Sequence, residues 1–191
     1  MNVLIIFAHP NEKSFCAAIR EQIIAGLKTK NHQIRTHNLY KDKFNPILSR
    51  KELLDKRELE NDNQAVKYQK DINWAERIII IHPAYWYTTP AILKGYFYRL
   101  LTEGFAYDYV IEHPEPKLLG KKGLLIQTFD AEEALEKKLF EDVTRKTVLY
   151  TWQYCGVEEW QYFSMFQVNF TSNEQRKEWL KQAYNLGLNL E

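Results

Sequence analysis

Cysteine is scarce in this sequence: Cys16 and Cys155 are the only two among 191 residues, far apart and outside any CxxC spacing. A disulfide framework and a zinc site both lack their ligands, and the two side chains are expected to be buried thiols. No grouping of His, Cys or carboxylates has metal-ligand spacing, so no metal site is expected. A surplus of either charge is missing as well, with 26 Lys plus Arg against 25 Asp plus Glu, a net +1 without a basic block or an acidic tail. Nucleic acid and membrane surfaces therefore find no electrostatic footprint. No window nears the ~20 apolar residues of a membrane span. The first apolar run, Val3 to Ala8, follows Met1 too closely for the basic start of a signal peptide and ends at His9-Pro10 without a small-residue cleavage site. A cytoplasmic protein is expected. The turn after that run also lacks GxGxxG and GxxxxGK, which argues against a dinucleotide-binding Rossmann unit and a nucleotide triphosphatase.

Apolar strand-length runs are what the chain does have. Val3 to Ala8, Arg77-Ile78-Ile79-Ile80-Ile81 and Gly123 to Thr128 read as strands buried on both faces of a parallel sheet. Gln33 to Asn38 reads as an edge strand with His32 and His37 on its solvated side, and Trp160 to Met165 as a final strand. Between them lie helical spacings. Phe15, Ala18, Ile19, Ile23, Gly26 and Leu27 form one face, with Ser14 or Asn11 as N-cap. Val66, Gln69, Ile72 and Ala75 form another. Pro90, at helix position N1, opens a segment apolar all round to Leu101. A Glu/Lys-rich helix follows Ala131, and an amphipathic one spans Asn173 to Leu188. Leu39 to Asn61, rich in charge, reads as an excursion outside the core. The alternation predicts one domain over residues 1–191: a three-layer α/β fold with a parallel five-stranded sheet of order 2-1-3-4-5 and helices on both faces.

Such sheets bind ligands beyond the carboxyl ends of their strands, where the strand order reverses. Two unusual segments stand there. His9 to Phe15 opens a helix, and free backbone N–H groups with the Ser14 hydroxyl and the Lys13 charge make a phosphate site. The same residues also read as an ordinary capped helix start. Pro83-Ala84-Tyr85-Trp86-Tyr87-Thr88-Thr89-Pro90 sets three aromatics in a row, which suits a wall for a planar ring. The other reading of that row is a surface patch packed on a neighbouring subunit. His82, before Pro83, is expected to be a structural hydrogen-bonding residue, and His113 to lie on a Pro-rich surface loop.

The stretch Pro83 to Tyr109, with Trp86-Tyr87, Pro90-Ala91-Ile92-Leu93-Lys94-Gly95 and Phe105-Ala106-Tyr107-Asp108-Tyr109, resembles the flavin and substrate region of the NAD(P)H:quinone oxidoreductase family, the DT-diaphorase-like flavoproteins. Ala8-His9 and Ser14-Phe15 resemble that family's phosphate loop, and the element order matches over nearly the whole chain. The resemblance implies a flavodoxin-like fold and a homodimer with two flavins, FAD favoured and FMN possible, at its interface. It implies that NAD(P)H delivers a hydride to the flavin and that a quinone or similar acceptor then takes two electrons. By the same resemblance, His9, Ser14, Phe15 and Cys16 hold the phosphate end. Pro83, Ala84, Tyr85, Trp86 and Tyr87 line the isoalloxazine, with Thr128 beside them. Gln69 and Arg176 make distal contacts, and Tyr107 and Tyr109 cap the substrate pocket from the other subunit. A second function seen among such relatives is a flavin-binding ancillary subunit of a potassium-efflux antiporter. A one-electron carrier is disfavoured, because carriers of that kind are strongly acidic.

The pattern breaks after the fourth strand. Where family members carry Thr-Thr-Gly-Gly, this chain reads Gln127-Thr128-Phe129-Asp130-Ala131-Glu132-Glu133, and no His follows His113. The lost glycines argue against the same close backbone approach to the ring. Hydride transfer needs geometry more than an acid or base, so activity is expected to survive.

Overall fold

The computed structural model describes residues 1–138 and 141–191. Its centre is a five-stranded parallel sheet of β1 (Asn2–Phe7), β2 (Gln33–Asn38), β3 (Arg77–Pro83), β6 (Lys122–Thr128) and β7 (Glu159–Met165), in the order β2-β1-β3-β6-β7. The expected strand order is borne out. A second, two-stranded sheet pairs β4 (Tyr107–Val110) with β5 (His113–Pro116) antiparallel.

The alternation along the central strands builds two cores. Leu4, Ile6, Ile78, Ile80 and Leu125 face one side, packed under α3 (Asn63–Trp74), α4 (Ala91–Leu100) and α6 (Val143–Tyr154) through Tyr68, Ile72, Leu93, Tyr96 and Trp152. Val3, Ile5, Ile79, Ile81, Leu124 and Ile126 face the other, under α1 (Phe15–Thr29) and α7 (Asn173–Leu188) through Ile19, Ile23, Leu27 and Ala183. Where α1 crosses α7, Gly26 and Gly187 let the backbones touch: a Cβ on Gly187 would stand 2.3 Å from the Ile23 carbonyl oxygen. Among the described residues, no helix is long and apolar enough to cross a membrane.

Several local readings need correction. His37 is buried, 1% exposed, rather than solvated. Its ring stacks on Tyr68 at 3.7 Å, with Nδ1 2.9 Å from the Tyr96 hydroxyl and Nε2 3.1 Å from Asp71 Oδ2. Burial pushes its pKa down to about 4, so the neutral ring donates from Nε2 to Asp71 and accepts at Nδ1 from Tyr96. The inward face of α3 is Ala65, Tyr68, Asp71 and Ile72, one step round from the expected stripe. The Leu39–Asn61 excursion, which contains α2 (Arg50–Leu54) and a 3₁₀ turn (Lys56–Asn61), sends Leu39, Phe44 and Leu59 into the core. Its anchor is the buried Arg99 of α4, which donates to Glu52, to Asp62 at 2.9 Å and to the Asn45 carbonyl at 2.8 Å. Pro90 is the N-cap of α4 rather than its first residue. The Glu/Lys-rich helix expected after Ala131 is α5 (Glu133–Lys138).

Candidate active site

Strands β1, β3 and β6 end side by side, and the loops that leave them enclose two adjoining clefts. The first, about 440 Å³, is lined by His9, Asn11, Ser14, Phe15 and Cys16 from the β1 side, Pro83, Ala84 and Tyr85 from β3, Thr128 and Asp130 from β6, and Val168 and Asn169 after β7. The second, about 250 Å³, is lined by Ala84, Trp86, Tyr87, Phe129, Asp130, Ala131 and Glu136. Ala84 and Asp130 border both.

The β1 end is a chain of short hydrogen bonds that opens α1. The Asn11 amide donates to His9 Nδ1 at 2.9 Å, the Lys13 amide to Asn11 Oδ1 at 2.9 Å, and the Ala17 amide to the Ser14 hydroxyl at 3.2 Å. Ser14 is therefore the N-cap. Phe15 and Cys16, the first helical residues, have amides with no acceptor four residues back within the helix, and both line the cleft. Desolvation holds the His9 pKa below its ordinary value. Neutral His9 with Nδ1 occupied keeps its proton on Nε2, a donor for a ligand. Lys13 is exposed and does not line the cleft. Attraction for an anion thus rests on the helix terminus and neutral donors rather than on a side-chain cation. Cys16 stays a thiol, because burial pushes its pKa up to about 11.

The β3 end turns sharply. The Ala84 amide donates to the Thr128 carbonyl at 2.8 Å, tying it to the end of β6. Tyr85 and Thr88 then exchange two backbone bonds of 2.9 and 3.1 Å around Trp86 and Tyr87, whose φ angles are +50° and +58°. This two-residue turn has the left-handed geometry normally filled by Asn-Gly, at a cost of about 1–2 kcal/mol per bulky residue. Trp86 stands 93% exposed at its tip. The left-handed pair Ile111-Glu112 at the β4–β5 turn shows the same geometry away from the clefts. Behind the turn, fully buried His82 donates from Nδ1 to the Pro83 carbonyl at 2.8 Å and takes a bond at Nε2 from Gln127 at 3.2 Å. Its structural role is as expected, with burial holding its pKa at about 4.

At the β6 end Phe129 turns inward, its amide bonded to the Met165 carbonyl at 2.8 Å and its ring stacked on Phe166 at 4.8 Å. Asp130 accepts from Asn169 Nδ2 at 2.8 Å on the rim. The departure from the Gly-Gly pattern thus fills the turn with a packed ring and an anchored carboxyl.

Of the residues singled out from the sequence, His9, Ser14, Phe15, Cys16, Pro83, Ala84, Tyr85 and Thr128 meet in the first cleft, and Trp86 and Tyr87 in the second. Arg176 lies just behind, donating to the Val168 carbonyl at 2.9 Å. Gln69 is elsewhere in the chain, bonded to the Leu100 carbonyl at 3.0 Å beside a separate cleft of about 410 Å³. Tyr107 and Tyr109 belong to the β4–β5 hairpin and line neither cleft. Tyr154 joins them, its hydroxyl 3.1 Å from that of Tyr109 and its ring 5.1 Å from Tyr107. Sequence reasoning missed Tyr154, Asn169 and Glu136, which arrive through the path of the chain and carry no local signal, whereas Asp130 belongs to the turn already noted for its lost glycines.

Comparison with known proteins places the fold. A family described by its flavodoxin-like fold matches residues 1–186. An uncharacterized NAD(P)H oxidoreductase from Haemophilus influenzae is 31% identical over 192 residues, covering 96% of this chain and 92% of the relative. NAD(P)H dehydrogenase (quinone) 1 from Cavia porcellus is 32% identical over 149 residues, 69% of this chain, and the chain spans only 54% of that relative's length. The solved NAD(P)H:quinone oxidoreductase from Methanothermobacter marburgensis superposes with a TM-score of 0.85 at 27% identity, covering 100% of this chain and 99% of that one.

Proposed function

Because the chain belongs to the flavodoxin-like NAD(P)H:quinone oxidoreductase family, we propose that it is a flavin-dependent oxidoreductase that takes a hydride from NAD(P)H and passes two electrons to a quinone or similar acceptor. The observation that carries this reading is the junction of the two clefts, where a donor-rich helix start meets a strained aromatic turn across the ends of β1, β3 and β6. Phosphate and planar ring, the two halves of a flavin nucleotide, need those two surfaces next to each other.

Bound flavin would supply reversible two-electron chemistry. The protein's part is to hold and orient. The Phe15 and Cys16 amides, the Ser14 hydroxyl and His9 Nε2 take the phosphate. Tyr85, Trp86 and Tyr87 give the ring an apolar wall, and Thr128 fixes the floor through its hydrogen-bonding contact with Cys16 at 3.1 Å. NAD(P)H and the acceptor use the open face in turn.

The protein acts as a homodimer in this reading, with Tyr107 and Tyr109 capping the partner's open face and Gln69 reaching the distal part of the cofactor. Exposed Tyr109, Val110 and Ile111 at the hairpin tip support it as surface that pairing would cover. Sedimentation at micromolar concentration should give a species of twice 22.8 kDa. A lone monomer would remove the shared site.

The deciding experiment is the visible spectrum of the purified protein, with heat-released cofactor identified, before and after anaerobic NADH or NADPH. A flavin spectrum that bleaches with either nucleotide is expected. A colourless protein that takes up neither FAD nor FMN would overturn the proposal.

A further inference from the structure

Glu136 lies on α5 with 2% of its surface exposed, yet it lines the smaller cleft beside Trp86 and Tyr87. One carboxyl oxygen, Oε1, accepts the Thr144 amide at 3.3 Å and so closes the start of α6. The other, Oε2, is buried and has no hydrogen-bond partner among the described residues. A buried acceptor without a partner is costly, and one that stands beside a cleft calls for a partner that the cleft could receive. Trp86 and Tyr87 select a flat ring for this cleft. An unpartnered carboxyl oxygen beside them selects a ring edge that carries an N–H.

We propose that Glu136 Oε2 accepts the imide N–H, N3–H, of the flavin's pyrimidine edge, the position at which the lost Gly-Gly turn would have offered backbone groups. This rests on the flavin reading above. Oε1 stays with Thr144, so one side chain both caps α6 and reads the ring. The competing arrangement is internal: Thr144 is fully buried with an unpartnered hydroxyl of its own, and rotation of that hydroxyl toward Glu136 would leave nothing for a ligand.

The experiment measures the affinity of apoprotein for FMN and for N3-methyl-FMN, by quenching of flavin fluorescence, in the wild type and in Glu136→Gln. Glutamine keeps an oxygen for the Thr144 amide and puts an NH₂ in place of Oε2, replacing an acceptor by a donor. Wild type should bind FMN on the order of 10-fold more tightly than the methylated analogue, as loss of one hydrogen bond implies. In Glu136→Gln, FMN affinity should fall by a similar factor and the penalty for methylation should shrink, with the thermal unfolding midpoint of the apoprotein unchanged. Equal FMN affinity in the two proteins, or the same methylation penalty in both, would overturn the role of Glu136 while leaving flavin binding intact. Failure of the wild type to take up FMN or FAD would remove the flavin reading itself, and this inference with it.

Discussion

The sulfur of Cys16 and the hydroxyl of Thr128 lie 3.1 Å apart, joining the first turn of α1 to the last residue of β6 across 112 positions of sequence. Both ends of this contact line the larger cleft, so the same bond closes the core and shapes the site. Thr128→Val keeps the volume and removes the hydroxyl. Its carbonyl still accepts the Ala84 amide, so the aromatic turn keeps its anchor. Stability should fall by about 1 kcal/mol, the net worth of one such bond, read as a lower urea midpoint at constant slope. An unchanged midpoint would show that the contact contributes nothing.

Acid should destabilise the fold well above the pH at which carboxyls titrate. His37 and His82 both have pKa values of about 4 in the fold, against roughly 6.5 in an unfolded chain. Between those values the unfolded chain binds more protons, so stability drops as pH falls from 6.5 toward 4. Each histidine accounts for on the order of 3 kcal/mol over the full window at about 1.4 kcal/mol per unit. Desolvation lowers the pKa of His9 and His32 too, adding in the same direction. Glu12, Glu52 and Asp62 are held below their ordinary values by Arg20 and Arg99 despite burial, so the stability they lend is lost at lower pH than that of the histidines. Urea midpoints at pH 7 and pH 5 should therefore differ clearly, and the slope should flatten in His82→Gln. Identical midpoints would refute the buried neutral rings.

What was legible in the sequence follows from what is local. Val3 to Ala8 and Ile78 to Ile81 announce strands covered on both faces because every residue is apolar, and alternation with helices then leaves few sheet orders. His9 to Cys16 and Pro83 to Tyr87 could be paired as a site because both leave strand ends. His37 could not be placed: its strand, Gln-Ile-Arg-Thr-His-Asn, reads as solvated, and it is Tyr68 and Tyr96 from two other helices that cover it. The β4–β5 hairpin was hidden by Pro114 and Pro116, which read as loop although proline suits short edge strands. Asn169 and Glu136 reach the clefts through tertiary packing alone.

The crossing of α1 and α7 has no room for a methyl group. In Gly187→Ala the new Cβ would meet the Ile23 carbonyl oxygen at 2.3 Å, and the obstacle is backbone within a helix. Alanine favours the helix by about 1 kcal/mol, but overpacking costs about 1–3 kcal/mol and more where neither side can yield. The steric effect should win, giving a lower thermal midpoint with flavin uptake retained, since neither Ile23, Gly26 nor Gly187 lines either cleft. A more stable variant would mean that the helices part readily.

Trp86 sets fold against function most directly. Its φ of +50° suits glycine, and 93% of its surface is exposed, so it contributes little burial to offset that strain. Trp86→Gly should make the apoprotein more stable by about 1 kcal/mol, while Trp86→Ala, which keeps a Cβ in the left-handed region, should not. Both variants lose the same wall of the smaller cleft and should retain flavin less well, by at least several-fold. A gain in stability in Trp86→Gly alone, with flavin lost in both variants, would separate backbone relief from ring contact. Normal flavin content in both would mean that the turn is strained for some purpose other than holding the ring.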